Sequence, residues 1–316
     1  VRLVPRLDLV NVLEYEEQAK ASLNAASYSA IAGGDRSSFD RVTLRARMMV
    51  PARDLELGLT LFGQSHFAPI VVGPVADQRR FDPAGEAATV QGASAAQAAV
   101  VVTASTSTPI EALTAASKTP VWFQAFVDDA DASRSVSRAV AAGCRAIVLT
   151  VGAAPSAAGT RAAPVTSKHW NIVGAVSKAA GVPVIVKGAT SPALARRAVQ
   201  SGAAGVVFSD YGGLLGRGTT ATILDLPAVV EAVGPSTPVL ADGGMRRGTD
   251  ILKALALGAT AVLVARPVMW GLGAYGAEGV QGVLEMLQTE LARYMVMCGK
   301  TGLNGLDKAM LRVHAR

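Results

Sequence analysis

The chain has 316 residues, half of them hydrophobic and only 17% charged, with a formal net charge of +6. Its 30 Lys and Arg form no basic block and do not alternate with aromatics, which argues against a nucleic-acid partner, and no apolar run is long enough to span a membrane. Two cysteines, Cys144 and Cys298, give neither a disulfide framework nor a metal pair, and the first residues show no signal peptide, so the expectation is a cytoplasmic protein without a metal.

In chain order, residues 1–66 are expected to form an N-terminal helical segment. Val10 to Leu23 has amphipathic spacing, and Gly33-Gly34-Asp35 closes a second helix. From residue 67, apolar runs recur at intervals of roughly 20–30 residues, each followed by an Ala-rich helical stretch. Strands are predicted at Pro69–Val75, Ala99–Thr103, Val121–Phe126, Ala146–Val151, Val182–Lys187, Gly205–Ser209, Pro238–Ala241 and Ala261–Ala265, and a long helix at Glu278–Cys298. Eight such units predict an α/β fold, a (β/α)8 TIM barrel, in one domain covering residues 1–316, of which 67–316 are barrel and C-terminal helix. The alternative, an open doubly wound sheet, calls for a G-x-G-x-x-G turn after its first strand. The chain has Gly73-Pro74-Val75-Ala76 there.

The strand ends carry Pro74-Val75-Ala76, Thr103, Gln124, Thr150, Lys187, Asp210-Tyr211, Asp242 and Arg266. A single polar residue at such a place is a cap; a ring of them is a ligand site. Lys187 closes an apolar run, so its ammonium must face the barrel mouth or lie unpaired at high cost. Asp242-Gly243-Gly244 ends one strand, a basic helix start follows, and Arg266 ends the next strand. A glycine turn, a helix N-terminus and an arginine on one face suit a phosphate. The bland alternative is a tight turn with a surface arginine.

From Val10 to Leu311 the chain resembles the FMN-dependent α-hydroxy acid oxidase and dehydrogenase family, which includes glycolate oxidase, lactate oxidase and mandelate dehydrogenase. The resemblance rests on Asp242-Gly-Gly-Met-Arg-Arg-Gly-Thr-Asp250, Lys253-Ala-Leu-Ala-Leu-Gly258 and Arg266-Pro267, supported by Pro69-Ile70, Pro74, Gly85-Glu86 and Ala93-Ser94-Ala95-Ala96. It implies FMN as cofactor. Pro74, Val75 and Ala76 then lie along the isoalloxazine ring, and Thr103 supplies a hydroxyl. Gln124 and Thr150 bond the pyrimidine edge, and Lys187 lies near N1 and O2. Asp242, Gly243, Gly244, Arg246 and Arg266 hold the ribityl chain and phosphate. It also implies a homo-oligomer, a tetramer in the family.

The catalytic positions depart from the family. Where it has Ser-Asn-His-Gly-Gly-Arg, this chain has Ser209-Asp210-Tyr211-Gly212-Gly213-Leu214. The base and a carboxylate-binding arginine are thus Tyr211 and Leu214. The acid that orients the base is Gly152, and the two tyrosines fall on Ala30 and Phe126. The second carboxylate arginine has no counterpart in Ala153-Ala154-Pro155-Ser156, and the loop Gly152 to Trp170 is shorter than the family's lid. A tyrosine hydroxyl, with a pKa of about 10, is a poor base at neutral pH. The expected function is therefore an FMN-dependent oxidoreductase acting on a neutral or hydrophobic small molecule by hydride transfer. The pocket is formed by Ala30, Phe126, Gly152, Tyr211, Leu214 and Leu215, with Tyr211 and Lys187 as catalytic groups. Two alternatives stay open: a non-catalytic FMN-binding protein, or residual α-hydroxy acid oxidation through Arg161 or Arg217. His66, His169 and His314 are expected to be structural or surface residues, with His66 at the far face of the barrel and His169 at a helix start.

Overall fold

Strands that must bury both faces read as continuous apolar runs. The chain has eight such runs, and its computed structural model describes residues 3–34, 36–47, 54–151, 165–209 and 222–314. The strands are β1 (Val42–Leu44), β2 (Leu59–Leu61), β3 (Gln64–His66), β4 (Ile70–Val72), β5 (Ala99–Thr103), β6 (Val121–Phe126), β7 (Ala146–Thr150), β8 (Val184–Lys187), β9 (Gly205–Phe208), β10 (Val239–Asp242), β11 (Ala261–Val264) and β12 (Leu311–Val313). β4 to β11 pair in parallel and close a barrel, β11 returning to β4 with Val262 opposite Ile70. All eight predicted barrel strands are present, with ends shifted by no more than three residues.

The helices are α1 (Val12–Ser22), α2 (Ala25–Ser29), α3 (Ser37–Asp40), α4 (Glu86–Ala95), α5 (Ile110–Ala116), α6 (Ala132–Ala141), α7 (Ser167–Ala179), α8 (Pro192–Gln200), α9 (Leu226–Val233), α10 (Gly248–Ala256) and α11 (Arg266–Met297). The two-residue period of each strand sorts its side chains. Val71, Ala99, Val101, Trp122, Ala146, Val148, Ile185, Val207, Leu240 and Leu263 fill the barrel interior, whereas Ile70, Val72, Val100, Phe123, Ile147, Val186 and Val262 meet the helices in the larger core. The same period brings Thr103, Gln124, Phe126, Thr150, Lys187, Ser209 and Asp242 inward at the C-terminal mouth.

Two elements differ from the sequence reading. Residues before 67 are not helical throughout: β1 pairs antiparallel with β12, and β2 pairs with β3 in a hairpin. These strands have only three residues each, too few for a periodic signal. The C-terminal helix begins at Arg266 rather than Glu278. It breaks at Tyr275 and Gly276 (φ 57°), so the predicted stretch is its second half.

The hairpin closes the N-terminal mouth. Leu61 and Phe62 join the interior cluster, the Trp122 indole N–H donates to Gln64 Oε1 at 3.0 Å, and the Phe62 and His66 rings meet Trp122 edge-on. His66 therefore lies at the face opposite the site, as its position implied. Its Nε2 is buried without a hydrogen-bond partner among the described residues. Burial lowers the pKa of His66 and outweighs the opposing hydrogen bond to the Leu61 backbone. Below the ordinary imidazole value of about 6.5 the unfolded chain thus binds more protons than the native one. The stabilisation is complete above that value and is lost as pH falls through it. Urea unfolding is expected to show lower stability at about pH 5.5 than at about pH 7.5, and His66→Phe should flatten the difference. An identical slope in the variant would place its source elsewhere.

Candidate FMN site at the C-terminal mouth

Inward polar residues of neighbouring strands bond to one another across the mouth. Gln124 Nε2 donates to Thr150 Oγ1 at 2.8 Å, both side chains buried. Lys187 Nζ donates to Ser209 Oγ at 2.7 Å and pairs with the Asp242 carboxylate, and Ser209 Oγ donates to Asp242 Oδ2 at 3.0 Å. Three consecutive strands, β8 to β10, thereby share one buried cation and one carboxylate. A lone lysine at 3% exposure would be costly; the Asp242 charge and the Ser209 hydroxyl answer it. The sequence reading placed Lys187 and Asp242 in separate roles and missed both their pairing and Ser209. Thr103 is buried and its Oγ1 accepts from the Ser105 N–H at 3.1 Å. Phe126 closes β6 and is buried at the mouth.

Pro74 and Val75 are half-buried and Ala76 is exposed on the rim after β4. Beneath them lies a polar network that sequence reasoning also missed. Gln78 Nε2 donates to the Val75 carbonyl at 3.0 Å. Its backbone N–H donates to Glu86 Oε1 at 3.3 Å, and its Oε1 accepts from Thr89 Oγ1 at 2.6 Å. Ser107 Oγ donates to Glu86 Oε2 at 2.6 Å. The buried Glu86 thus fixes the turn that presents residues 74–76. Glu86 at the first position of an apolar helix was the available signal.

A corner of clustered arginines lies beside the mouth, at the ends of β10 and β11. Gly243 and Gly244 have φ of 94° and 76°, a region that side chains with a Cβ rarely enter. The chain then turns into α10, where Asp250 accepts backbone N–H bonds from Arg246 (2.9 Å) and Arg247 (3.0 Å). The adjacent arginines separate in role. Arg247 and the Gly248 N–H bond Glu290 of α11, a structural contact. Arg246 is buried, stacks 4.9 Å from the Trp270 ring centroid, and donates to the Gly33 carbonyl at 2.8 Å. Arg266, the first residue of α11, donates to the same carbonyl at 2.8 Å. A Cβ at Gly34 would overlap the Arg266 guanidinium, so the glycine lets the N-terminal segment lie against it. Burial, and after it the charges of Arg266 and Arg36, lower the pKa of Arg246 to about 10. Like charges held this close suit an anion.

Ala30 caps α2 and is exposed, while the following Ile31 carbonyl accepts from the Trp270 indole at 2.9 Å. His169 starts α7, as expected. The Thr166 N–H donates to its Nδ1 at 2.9 Å, which assigns the ring proton to Nε2, 2.6 Å from Asp128 Oδ1. With both nitrogens engaged, it is a helix-start histidine. His314 meets Thr43 Oγ1 at 2.9 Å, in the β1–β12 pair's outer region. Gly152, Arg161, Asp210, Tyr211, Leu214, Leu215 and Arg217 lie outside the described residues. No described helix is long and apolar enough to cross a membrane.

The donor set fits FMN. Clustered guanidiniums around a Gly-Gly turn match a phosphate, and an amide, hydroxyls and a paired lysine on adjoining strand ends match a polar ring edge. Barrel and site define an FMN-dependent oxidoreductase class, and the comparisons agree. The chain belongs to the FMN-dependent α-hydroxy acid oxidase family: the family profile described as FMN-dependent dehydrogenase matches residues 23–165 and 153–313. The chain is 35% identical over 341 residues to 4-hydroxymandelate oxidase of Amycolatopsis orientalis, covering 92% of this chain and 94% of that protein. It is 33% identical over 360 residues to L-lactate oxidase of a Nostoc strain, covering 96% and 98%. A mandelate oxidase crystal structure, an arginine-to-leucine variant with 2-hydroxy-phenylacetamide, superposes with a TM-score of 0.87 at 34% identity, over 98% of this chain and 100% of the other.

Proposed function

We propose that this protein is an FMN-dependent oxidoreductase whose substrate is a neutral, partly apolar small molecule rather than a short α-hydroxy acid. The observation that carries the reading is the pairing of Lys187. Among the described inward strand-end residues it is the one cation, and its charge is already answered by Asp242 and Ser209. A carboxylate entering beside it would lose hydration without a fixed counter-charge. Phe126 supplies an apolar wall, and the family resemblance puts Leu214 where an arginine would bind a carboxylate. Tyr211 stands at the base position, where a neutral hydroxyl donates a hydrogen bond to a carbonyl or alcohol oxygen.

When bound, FMN supplies the two-electron chemistry, as hydride acceptor or donor. The chain's own residues orient it in this reading. Pro74, Val75 and Ala76 form a shelf for the ring, and Thr103, Gln124 and Thr150 bond its polar edge. Lys187 Nζ, whose charge Asp242 balances, would donate a hydrogen bond to the ring edge where the reduced ring gathers negative charge. Asp242 accepts from the ribityl hydroxyls, and Gly243, Gly244, Arg246 and Arg266 hold the phosphate. A mandelate oxidase with one arginine replaced by leucine was crystallised with 2-hydroxy-phenylacetamide, a neutral amide, which supports the substrate class by analogy.

Flavin absorbance titrated with matched pairs tests this. 2-Hydroxy-phenylacetamide is expected to bind more tightly than 2-hydroxy-phenylacetate, and glycolate or lactate should not bleach the flavin anaerobically within seconds. Tighter binding of the carboxylate, or rapid bleaching, would mean that α-hydroxy acid oxidation survives. Binding without reduction by any neutral donor would favour the non-catalytic alternative.

A further inference from the structure

We propose that Arg36, carried in by the N-terminal segment, is a positioning residue of the FMN phosphate site that, by answering Asp250, keeps the corner formed by Arg246 and Arg266 positive. The inference rests on the assignment of the phosphate to those two arginines. Arg36 was not legible as a site residue, because it belongs to no strand end and the Gly33-Gly34-Asp35 before it reads as a helix end.

Its contacts are with the phosphate turn itself. Arg36 Nε donates to the Gly244 carbonyl at 3.2 Å, and Arg36 Nη2 donates to Asp250 Oδ2 at 2.7 Å. That one carboxylate oxygen also accepts the backbone N–H bonds of Arg246 and Arg247. Asp250 is 1% exposed, and Arg36 answers its charge directly. The guanidinium is a rigid fork, so bonding Gly244 and Asp250 together sets the distance between the glycine turn and the first turn of α10. Because the peptide is planar, fixing the Gly244 carbonyl also fixes the direction of the Met245 N–H.

The charge balance points the same way. The charges of Arg36 and Arg266 both act on Arg246, and the opposing carboxylates that act on it are Glu16 and Asp250. Three guanidiniums against two carboxylates, Glu16 and Asp250, leave the corner net positive, which a phosphate anion complements. The segment bearing Arg36 is held across this corner: Ile31 is bonded by Trp270, Gly33 by Arg246 and Arg266, and the Phe39 carbonyl by Lys253 Nζ at 2.9 Å.

Riboflavin, which lacks the phosphate, separates a phosphate role from a general structural one. Dissociation constants for FMN and riboflavin would be measured by flavin fluorescence on the wild type, Arg36→Met and Arg36→Lys. Arg36→Met is expected to weaken FMN binding about tenfold and leave riboflavin within twofold. Arg36→Lys keeps the charge but not the fork, and is expected to recover part of the loss. Equal weakening of both ligands, or no change in their ratio, would overturn the inference. Should Arg36→Met fail to fold, Arg36→Lys alone decides: a weakened FMN-to-riboflavin ratio supports the role and an unchanged ratio refutes it. A wild type that binds riboflavin as tightly as FMN would instead remove the phosphate assignment of Arg246 and Arg266.

Discussion

Replacing Arg266 by Ala is expected to weaken FMN binding by roughly 10- to 150-fold while leaving the far-UV circular dichroism spectrum unchanged. A charge-assisted hydrogen bond to phosphate contributes on the order of 1.5–3 kcal/mol, which converts to that range. Arg266 is the informative choice because, among the described residues, its side-chain hydrogen bond is the one to the Gly33 carbonyl, and it lies at the half-buried start of α11. Truncating it removes charge from the corner with little loss of packing. Arg246→Ala would be harder to interpret: it also removes the stack on Trp270 and bonds to the Met245 and Gly33 carbonyls, so binding and stability fall together. Flavin fluorescence gives the constant directly. An affinity within twofold of wild type would mean that the phosphate does not bind at this corner.

The second large effect is on stability. Lys187→Met should destabilise the protein without added cofactor by about 3 kcal/mol, because it strands the Asp242 carboxylate. Removing one partner of a buried pair costs roughly 3–5 kcal/mol. The lower end applies here, since Asp242 keeps 16% of its side chain exposed and Ser209 still donates to it. The double substitution Lys187→Met/Asp242→Asn is expected to recover part of the loss, since it removes the unpaired charge. Urea unfolding of these two variants, of Asp242→Asn and of the wild type completes a double-mutant cycle. A loss below about 1 kcal/mol for the single variant would show the pair to be solvated rather than buried. The same residue is proposed to favour reduced flavin, so its cost to stability and its role in the site are measured on one variant.

Much of this protein was legible from residues that answer to local rules. Strands buried on both faces must be apolar throughout, so Val121–Phe126 and Ala146–Val151 stood out. Polar residues at the ends of these apolar runs were then the candidates: Thr103, Gln124, Thr150, Lys187, Asp242. Gly243-Gly244 declared a turn, because few other residues adopt its φ values. His66 could be set aside by its place before the first barrel strand alone.

Sequence by itself determined the barrel, its parallel order and the polar ring at its mouth, because burial period and glycine chemistry act over a few neighbouring residues. Tertiary structure alone decided which charges meet. Lys187 and Asp242 are 55 residues apart, Arg36 and Asp250 are 214 apart, and Arg246 and Arg247 diverge to Gly33 and Glu290 although they are adjacent. The three-residue strands β1, β2 and β3 also exist only through distant or cross-strand partners. A charged side chain carries no periodic signal of its partner. Its pairing is set by where the barrel's closure and the N-terminal segment bring it, and by the cost of leaving a buried charge unanswered.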